Sequence, residues 1–97
     1  VLAEPALGFG LVTLRPVIWF DGPVATLDEL YVAPTRRSGG IGTALLDLAR
    51  STARGLDCPE MHINVDEVDE DARRFYERHG FTNIEASSRM LLYIREL

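Results

Sequence analysis

The chain has 97 residues, ten basic and fifteen acidic side chains and 46% hydrophobic residues, which is typical of one small globular domain with a single core. Its net charge of −5 argues against nucleic-acid binding, and its lone Cys58 excludes an internal disulfide and a cysteine zinc cluster. No apolar run is long enough to cross a bilayer, and residues 1–4 contain no basic leader. We therefore expect one cytoplasmic domain over residues 1–97, with no nucleic-acid or membrane partner.

The first part of the chain predicts two strands. Residues 9–14 are apolar and rich in strand formers, and Pro16 ends the strand that they form. The Asp-Gly-Pro sequence at residues 21–23 is a turn signal, and it separates this strand from a second one over residues 24–32.

The hydrophobic period changes to that of a helix after residue 40. The positions that form one helical stripe are Ile41, Ala44, Leu45, Leu48, Ala49 and Thr52. Gly55 supplies the stop signal of this helix. A second helix over residues 69–79 ends before Gly80 and presents one face made of Ala72, Phe75, Tyr76 and His79.

Three further strands complete the predicted fold, over residues 61–65, 81–84 and 90–94. The resulting order is β-β-α-β-α-β-β, which indicates a mixed α/β fold with helices packed on a sheet. The β-α-β crossover in the middle predicts that the strands over residues 24–32 and 61–65 are parallel.

The two predicted helices begin with opposite charge. Three acidic residues from Asp69 to Asp71 open the second helix, where carboxylates offset the positive end of the helix dipole. The first helix follows Arg36 and Arg37, and no acidic residue appears before Asp47. The amides at its start therefore have no charged partner from nearby sequence, and they are a candidate site for a phosphate or pyrophosphate.

Glycines at the start of the first helix fit that interpretation. Helical positions for both Gly40 and Gly42 would cost about 2 kcal/mol relative to alanine, and a bound anion would offset this. The same glycines also suit a plain tight turn, so alone they leave both interpretations open. No Gly-Lys-Ser/Thr sequence follows them and the third glycine of a dinucleotide motif is missing, which excludes both nucleotide-binding loops.

The chain resembles the GNAT superfamily of acyl-coenzyme A-dependent N-acetyltransferases in two motifs that occur in the family's order. Residues 27–46 resemble its strand, phosphate loop and helix, with an Arg-x-x-Gly-x-Gly signature at Arg37, Gly40 and Gly42. Residues 71–81 resemble its Ala-x-x-Phe-Tyr-x-x-x-Gly-Phe motif. The resemblance spans about residues 8–95 and implies a GNAT-like mixed sheet with acetyl-CoA as co-substrate.

The resemblance also implies roles for individual residues. Backbone groups of Tyr31 and Val32 would bind the pantetheine arm as an extra strand. Tyr76 would lie near the thioester sulphur and protonate the departing thiolate. The residues that would hold the pyrophosphate are Arg37, Ser38, Gly39, Gly40, Ile41, Gly42 and Thr43.

Two departures from the family's pattern concern the cofactor and the acceptor. Asp69 stands where the family often has an asparagine, so its contact with the cofactor is open. The family's first strand and first two helices, which usually shape the acceptor site, have no counterpart before Val1. The chain begins without methionine in a strand-like segment, which is typical of part of a longer protein.

Acyl transfer to an amine needs a group that removes the proton of the attacking ammonium. Glu29 is the candidate base, because strand alternation places it with Leu27 and Tyr31 on one face. Asp28 would face the other way, and Glu67 lies in a loop. A solvated Glu29, or one paired with an arginine, is the alternative, and the Val32 N–H is the candidate donor to the oxyanion.

Several other side chains have both a functional and a structural interpretation. Tyr76 is either a catalytic acid or a core residue whose hydroxyl binds a carbonyl. Arg73 and Arg74 would reach the adenosine 3′-phosphate or stay solvated. The histidines and Cys58 lack metal-site spacing, so no metal is expected.

The leading functional prediction is an N-acetyltransferase that brings acetyl-CoA and a primary amine together in a ternary complex, in which the amine attacks directly. The acidic balance favours a cationic acceptor, either a small-molecule or a protein amine. A module that binds acyl-CoA without turnover is the alternative, and a structural subdomain with no anion site is a third possibility. An incomplete sheet exposes an edge, from which we expect a homodimer.

Overall fold

The computed structural model describes residues 2–3, 8–37 and 39–97. It divides the chain into two compact units, Val1–Ile63 and Asn64–Leu97, which are described in turn. Among the described residues, no helix has both the length and the apolar composition that a membrane span requires.

Unit 1 contains a four-stranded sheet covered by one helix. Its strands, in sheet order, are β1 (Leu2–Ala3), β2 (Gly8–Arg15), β3 (Val24–Val32) and β4 (Met61–Ile63). The helix α1 (Ile41–Gly55) connects β3 to β4, after a short 3-10 turn over Pro34–Arg36. β2 is antiparallel to both β1 and β3, whereas β3 and β4 are parallel, which confirms the predicted crossover. The short β1 is additional to the predicted order.

α1 packs on the sheet through an apolar face that differs from the predicted stripe. A Cβ atom at Gly8 would lie 3.1 Å from Leu45 Cδ1, so the helix rests directly on β2. Leu48, placed in the stripe by periodicity, is 49% exposed. The buried residues of the helix are Leu45, Leu46, Ala49 and Ala53, so the stripe is rotated toward Leu46 and Ala53. They form the core together with Val24, Ala25 and Leu27 of β3, and each fully buried leucine contributes about 2 kcal/mol.

A β-bulge interrupts the pairing of β2 with β3. Leu11 pairs with Glu29 and Val12 pairs with Leu27, which leaves Asp28 as an extra residue in β3. Paired residues share a face, and Leu11 and Val12 point to opposite faces, so Leu27 and Glu29 also face opposite ways. The predicted common face for Leu27 and Glu29 is therefore wrong, because strict alternation does not hold across a bulge.

Unit 2 begins with helix α2 (Glu70–Arg78), whose N-cap Asp69 accepts a hydrogen bond from the Ala72 N–H at 3.2 Å. Glu70 and Asp71 occupy its first turn, as expected from the dipole. The predicted apolar face is confirmed, since the half-buried residues from Glu70 to His79 are Ala72, Phe75, Tyr76 and His79.

The last two strands of unit 2 are shorter than predicted, and the second precedes its predicted range of residues 90–94, so that prediction is wrong. β5 (Ile84–Glu85) and β6 (Ser88–Arg89) form a two-stranded hairpin around Ala86 and Ser87, both of which have positive φ. This turn sets the register, so an extension of the ladder would pair residues 81–82 with residues 91–92. The Phe81 N–H instead donates to the Tyr76 carbonyl at the end of α2. Residues 90–94 consequently form no strand, and their large side chains are exposed.

Candidate active site

The sheet opens beside the C-terminal half of β3. β4 pairs with β3 only at Ala25, Thr26 and Leu27, whereas β2 stays paired as far as Val32. Among the described residues, the β4 side of β3 therefore has no strand partner after Leu27. Such an open edge offers backbone donors and acceptors to an extended ligand.

The two residues predicted to bind pantetheine present different sides to this edge. A Cβ at Gly8 would lie 2.3 Å from the Tyr31 carbonyl oxygen, so that carbonyl faces β2. Successive residues of a strand alternate, so the backbone groups of Val32 face the open edge. The Val32 carbonyl accepts a hydrogen bond from Arg37 Nε at 3.1 Å. Since a carbonyl has two lone pairs, it keeps one acceptor position.

The loop that follows β3 ends in a helix start suited to an anion. Gly40 is the N-cap of α1 and has φ 86°, a left-handed conformation that favours glycine. The first α1 hydrogen bond runs from the Ala44 N–H to the Gly40 carbonyl. The amides of Ile41 and Gly42 precede it, and in the described part of the chain no side chain caps them and no acid lies in the first turn.

This geometry revises the expected cost of the glycines. Gly40 lies outside the helix, where its positive φ makes glycine the favourable residue. Of these two glycines, only Gly42 lies within α1, so their cost relative to alanine is about 1 kcal/mol instead of 2.

Arg37 completes the positive character of this loop. Its Nε is held by the Val32 carbonyl, and none of the ion pairs between described residues includes it. The terminal nitrogens of its exposed guanidinium therefore remain available for a phosphate. Gly39 precedes the N-cap and Thr43 lies in the first turn of α1, whereas Ser38 lies outside the described residues.

The bulge brings two carboxylates to one face of β3. The Thr13 hydroxyl donates to Asp28 Oδ2 at 2.8 Å, and Thr13 lies on the same face of β2 as Leu11, the partner of Glu29. The prediction that Asp28 faces away from Glu29 is therefore wrong. Both side chains are exposed, and neither takes part in an ion pair between described residues.

Aromatic side chains lie next to these carboxylates on the same face. Phe9 pairs with Tyr31 across the two strands, and their ring centroids are 5.6 Å apart. This face of unit 1 therefore combines an apolar platform with two carboxylates that make no ion pair with any described residue.

In unit 2, Tyr76 is half-buried between two aromatic rings. The centroid of Phe75 lies 5.1 Å away and that of Phe81 lies 5.7 Å away. Burial raises the pKa of the Tyr76 phenol, and the negative charge of Asp69 raises it further. The phenol is neutral at physiological pH, as in a free tyrosine, and the raised pKa makes it a weaker acid than a free tyrosine.

The other polar candidates of unit 2 have local partners. Asp69 caps α2, which gives its carboxylate a structural role. Arg73 Nη1 donates to the Glu67 carbonyl at 3.0 Å, and Arg74 pairs with Asp71. The Glu67 carboxylate lies 3.9 Å from Arg89 Nη1. These contacts favour structural roles for the two arginines and Glu67 over catalytic ones.

The sequence does not predict the role of Thr13 or the bulge, because the bulge leaves no local signal in residues 24–32 and Thr13 lies in the other strand.

The candidate metal ligands of the sequence are not clustered. His62 pairs with Glu60 at 2.9 Å, and Cys58 is a half-buried free thiol. Within residues 2–3, 8–37 and 39–97, no three metal-ligating side chains come together.

Comparisons with known proteins give a consistent result. The model of the acetyltransferase (GNAT) family matches residues 4–81. Aminoglycoside N(6′)-acetyltransferase type 1 of Klebsiella aerogenes is 33% identical over 81 residues, which are 81% of this chain and 53% of that protein. Mycothiol acetyltransferase of Thermobispora bispora is 41% identical over 64 residues, which cover 64% of this chain and 21% of that protein.

A solved structure supports the same conclusion for the fold. The crystal structure of a protein from Arthrobacter sp. FB24, assigned as an acetyltransferase, superposes with a TM-score of 0.89 and 48% identity. The match covers 98% of this chain and 62% of that one. The chain thus spans about half the length of the aminoglycoside enzyme and under two thirds of the Arthrobacter protein. The predicted mixed α/β architecture is confirmed.

Proposed function

Since the chain belongs to the acetyltransferase (GNAT) family, we propose that it transfers an acetyl group from acetyl-CoA to a primary amine in a ternary complex. The observation that carries the proposal is the start of α1. Gly40 is the N-cap there, and no side chain among the described residues caps the amides of Ile41 and Gly42. These amides follow Arg37 and the open edge of β3 in the chain.

Acetyl-CoA would bind along these two features. Its pyrophosphate would lie on the amides of Ile41 and Gly42 and against the Arg37 guanidinium, where the helix dipole favours negative charge. Its pantetheine arm would follow the open edge of β3 and bind the backbone of Val32. This order places the thioester toward the bulge, because β3 runs from the bulge to the loop.

Glu29 would act as the base. It would take a proton from the acceptor's ammonium, directly or through a water, and the free amine would attack the thioester carbonyl. A backbone N–H such as that of Val32 would stabilise the oxyanion. The exposure of Glu29 and its lack of an ion pair among described residues support this role.

Tyr76 would supply the proton that the departing thiolate needs. The phenol is neutral at physiological pH, as a free tyrosine is, so it holds a proton to donate as the carbon–sulphur bond breaks. The attacking nitrogen loses two protons in all: the first passes from the ammonium to Glu29, and the second leaves as the tetrahedral intermediate collapses. Tyr76 gives its proton to the coenzyme thiolate and regains one from the nitrogen, so the net reaction releases one proton through Glu29.

We propose a small cationic amine as the acceptor. The similarity to an aminoglycoside N(6′)-acetyltransferase supports an acceptor of that polyamine type. The carboxylates of Asp28 and Glu29 lie on one face and would attract a cationic acceptor electrostatically.

An acyl-CoA-binding module without turnover is the second candidate. It is favoured by the start of α1 and the open edge of β3, because these features would hold the cofactor without any contribution from an acceptor site. We also propose a cytoplasmic homodimer, supported by exposed apolar residues from Met90 to Ile94. Light scattering after size exclusion would show twice the monomer mass, and a monomer at all concentrations would contradict the dimer.

Calorimetric titration with acetyl-CoA tests the proposal. Gly42→Glu places a carboxylate in the first turn of α1 without a change at the positive-φ residue Gly40, and Gly55→Glu adds the same side chain at the other end of α1, where a Cβ meets nothing within 4 Å. We expect binding by the wild type and by Gly55→Glu, and none by Gly42→Glu. Equal binding by all three proteins would contradict the assignment of the cofactor site.

A further inference from the structure

A cleft of about 380 Å³ lies between two loops at the other end of the sheet from the α1 N-terminus. One loop joins β2 to β3 and the other joins α1 to β4. The residues that line it are Trp19, Phe20, Asp21, Gly22, Asp57 and Pro59. α1 has 15 residues, so the cleft at its C-terminal end is about 22 Å from the proposed pyrophosphate site.

The two loops are held in close contact at the floor of the cleft. A Cβ at Gly22 would lie 1.9 Å from the Asp57 carbonyl oxygen, so only glycine allows this approach. Asp57 has φ 63°, a left-handed conformation in which helices usually carry glycine or asparagine. Its N–H donates to the Arg54 carbonyl at 3.1 Å and so closes the helix.

The polar groups of the cleft are negative. Asp21 and Asp57 are exposed, and neither takes part in an ion pair or side-chain hydrogen bond between described residues. The C-terminus of α1 adds the negative end of a helix dipole beside Asp57.

The apolar wall of the cleft is aromatic. Trp19 is 64% exposed, and its ring meets that of Phe20 edge-on at a centroid distance of 6.4 Å. An exposed indole face attracts a cation through its quadrupole, and tryptophan is the strongest of the aromatic residues in this respect. Aromatic faces and unpaired carboxylates therefore line the same cleft.

We propose that this cleft binds an alkylammonium or guanidinium group. The cation would lie over the Trp19 ring, with its N–H groups directed to Asp21 and Asp57. The cleft volume accommodates such a group with part of its alkyl chain. The group belongs either to a free small cation or to a basic side chain of a partner protein, and both sources share this chemistry.

Trp19 is the only tryptophan of the chain, so its fluorescence reports directly on the cleft. Wild-type protein is titrated with butylammonium and with ethylguanidinium, and in parallel with neutral butanol and anionic butyrate at constant ionic strength. We expect a saturable change in fluorescence with the two cations alone. A similar saturable change with butanol, or no saturable change with either cation, would overturn the proposal.

Asp57→Asn removes one charge and keeps a residue that tolerates positive φ, so the loop conformation is preserved. We expect this variant to weaken cation binding about fivefold. Asp47→Asn makes the same charge change within α1, away from the cleft, and is the control, with an unchanged dissociation constant. Equal effects of the two variants would show that only net charge matters and would overturn the proposal.

The peptide Gly-Arg-Gly separates the two sources of the cation. Binding about tenfold tighter than that of ethylguanidinium supports a basic side chain of a partner protein, whereas equal or weaker binding supports a free small cation. No arm of the experiment contains acetyl-CoA, so the result is independent of acetyl transfer.

Discussion

Replacement of Gly42 by glutamate is expected to stabilise the protein and abolish cofactor binding at the same time. Gly42 lies in the first turn of α1, where the structure shows no acidic residue. Glutamate has a higher helix propensity than glycine by about 0.5 kcal/mol. A negative charge in the first turn adds about 0.5 kcal/mol through the dipole.

The expected gain is therefore about 1 kcal/mol, or an increase in Tm of roughly 4–8 °C for a domain of this size. The same carboxylate would occupy the position of the pyrophosphate and repel it. Loss of two charge-assisted hydrogen bonds, at about 1.5 kcal/mol each, corresponds to at least about 100-fold weaker binding. A residue selected for ligand binding at a cost in stability is expected to behave in this way.

Differential scanning calorimetry and titration with acetyl-CoA measure the two effects on the same sample. Gly55→Glu is the control, because it introduces glutamate at the negative end of the same helix. In this control the gain in helix propensity and the unfavourable charge at the negative end of the dipole, each about 0.5 kcal/mol, cancel. Its stability should therefore change little, and it should bind acetyl-CoA normally. A Gly42→Glu protein that binds as tightly as the wild type would refute the assignment of the helix start to the pyrophosphate.

Three further predictions concern catalysis, pH and the core. Glu29→Gln should lower kcat/KM by about 10²–10⁴-fold at neutral pH. Thr13→Val removes the hydrogen bond to Asp28 and should mainly raise the KM for the amine. Wild-type steady-state kinetics in both variants would count against these roles. Because the pKa of Tyr76 is raised in the folded state, its contribution to stability is present below pH 10 and is lost as the pH rises through the folded-state pKa. Tyr76→Phe should therefore reduce the fall in Tm above pH 10, and an unchanged fall would contradict this. Leu46→Ala should destabilise the protein by about 3 kcal/mol in urea unfolding, because Leu46 is fully buried under the sheet, and a loss below about 1 kcal/mol would contradict that packing.

The sequence predicts most of the frame because its signals are local. α1 and α2 begin within one residue of the expected positions. Their signals are the helical stripe after residue 40, the glycine at residue 40 and the acidic residues from Asp69, and each of them involves only residues that are near in sequence. The parallel pairing of β3 with β4 follows from the crossover between them.

The features that the sequence does not predict depend on pairing between distant residues. The bulge at Asp28 exists only relative to β2, and it reverses the faces on which Leu27 and Glu29 lie. The hairpin at Ala86 and Ser87 also could not be predicted from the sequence, because neither residue is typical of a turn with positive φ. The hydrogen bond from Thr13 to Asp28 follows from the bulge, and with it the arrangement of both carboxylates.

The most direct test of the central claim is amine-dependent release of the coenzyme thiol. Protein with acetyl-CoA is assayed with and without a polyamine and an aminoglycoside, and the acetylated amine is identified by mass spectrometry. The account predicts thiol release that requires the amine, matches the acetylated product mole for mole and is lost in Gly42→Glu. Tight binding of acetyl-CoA with no release above the amine-free rate would contradict acetyl transfer and would identify the chain as a binding module.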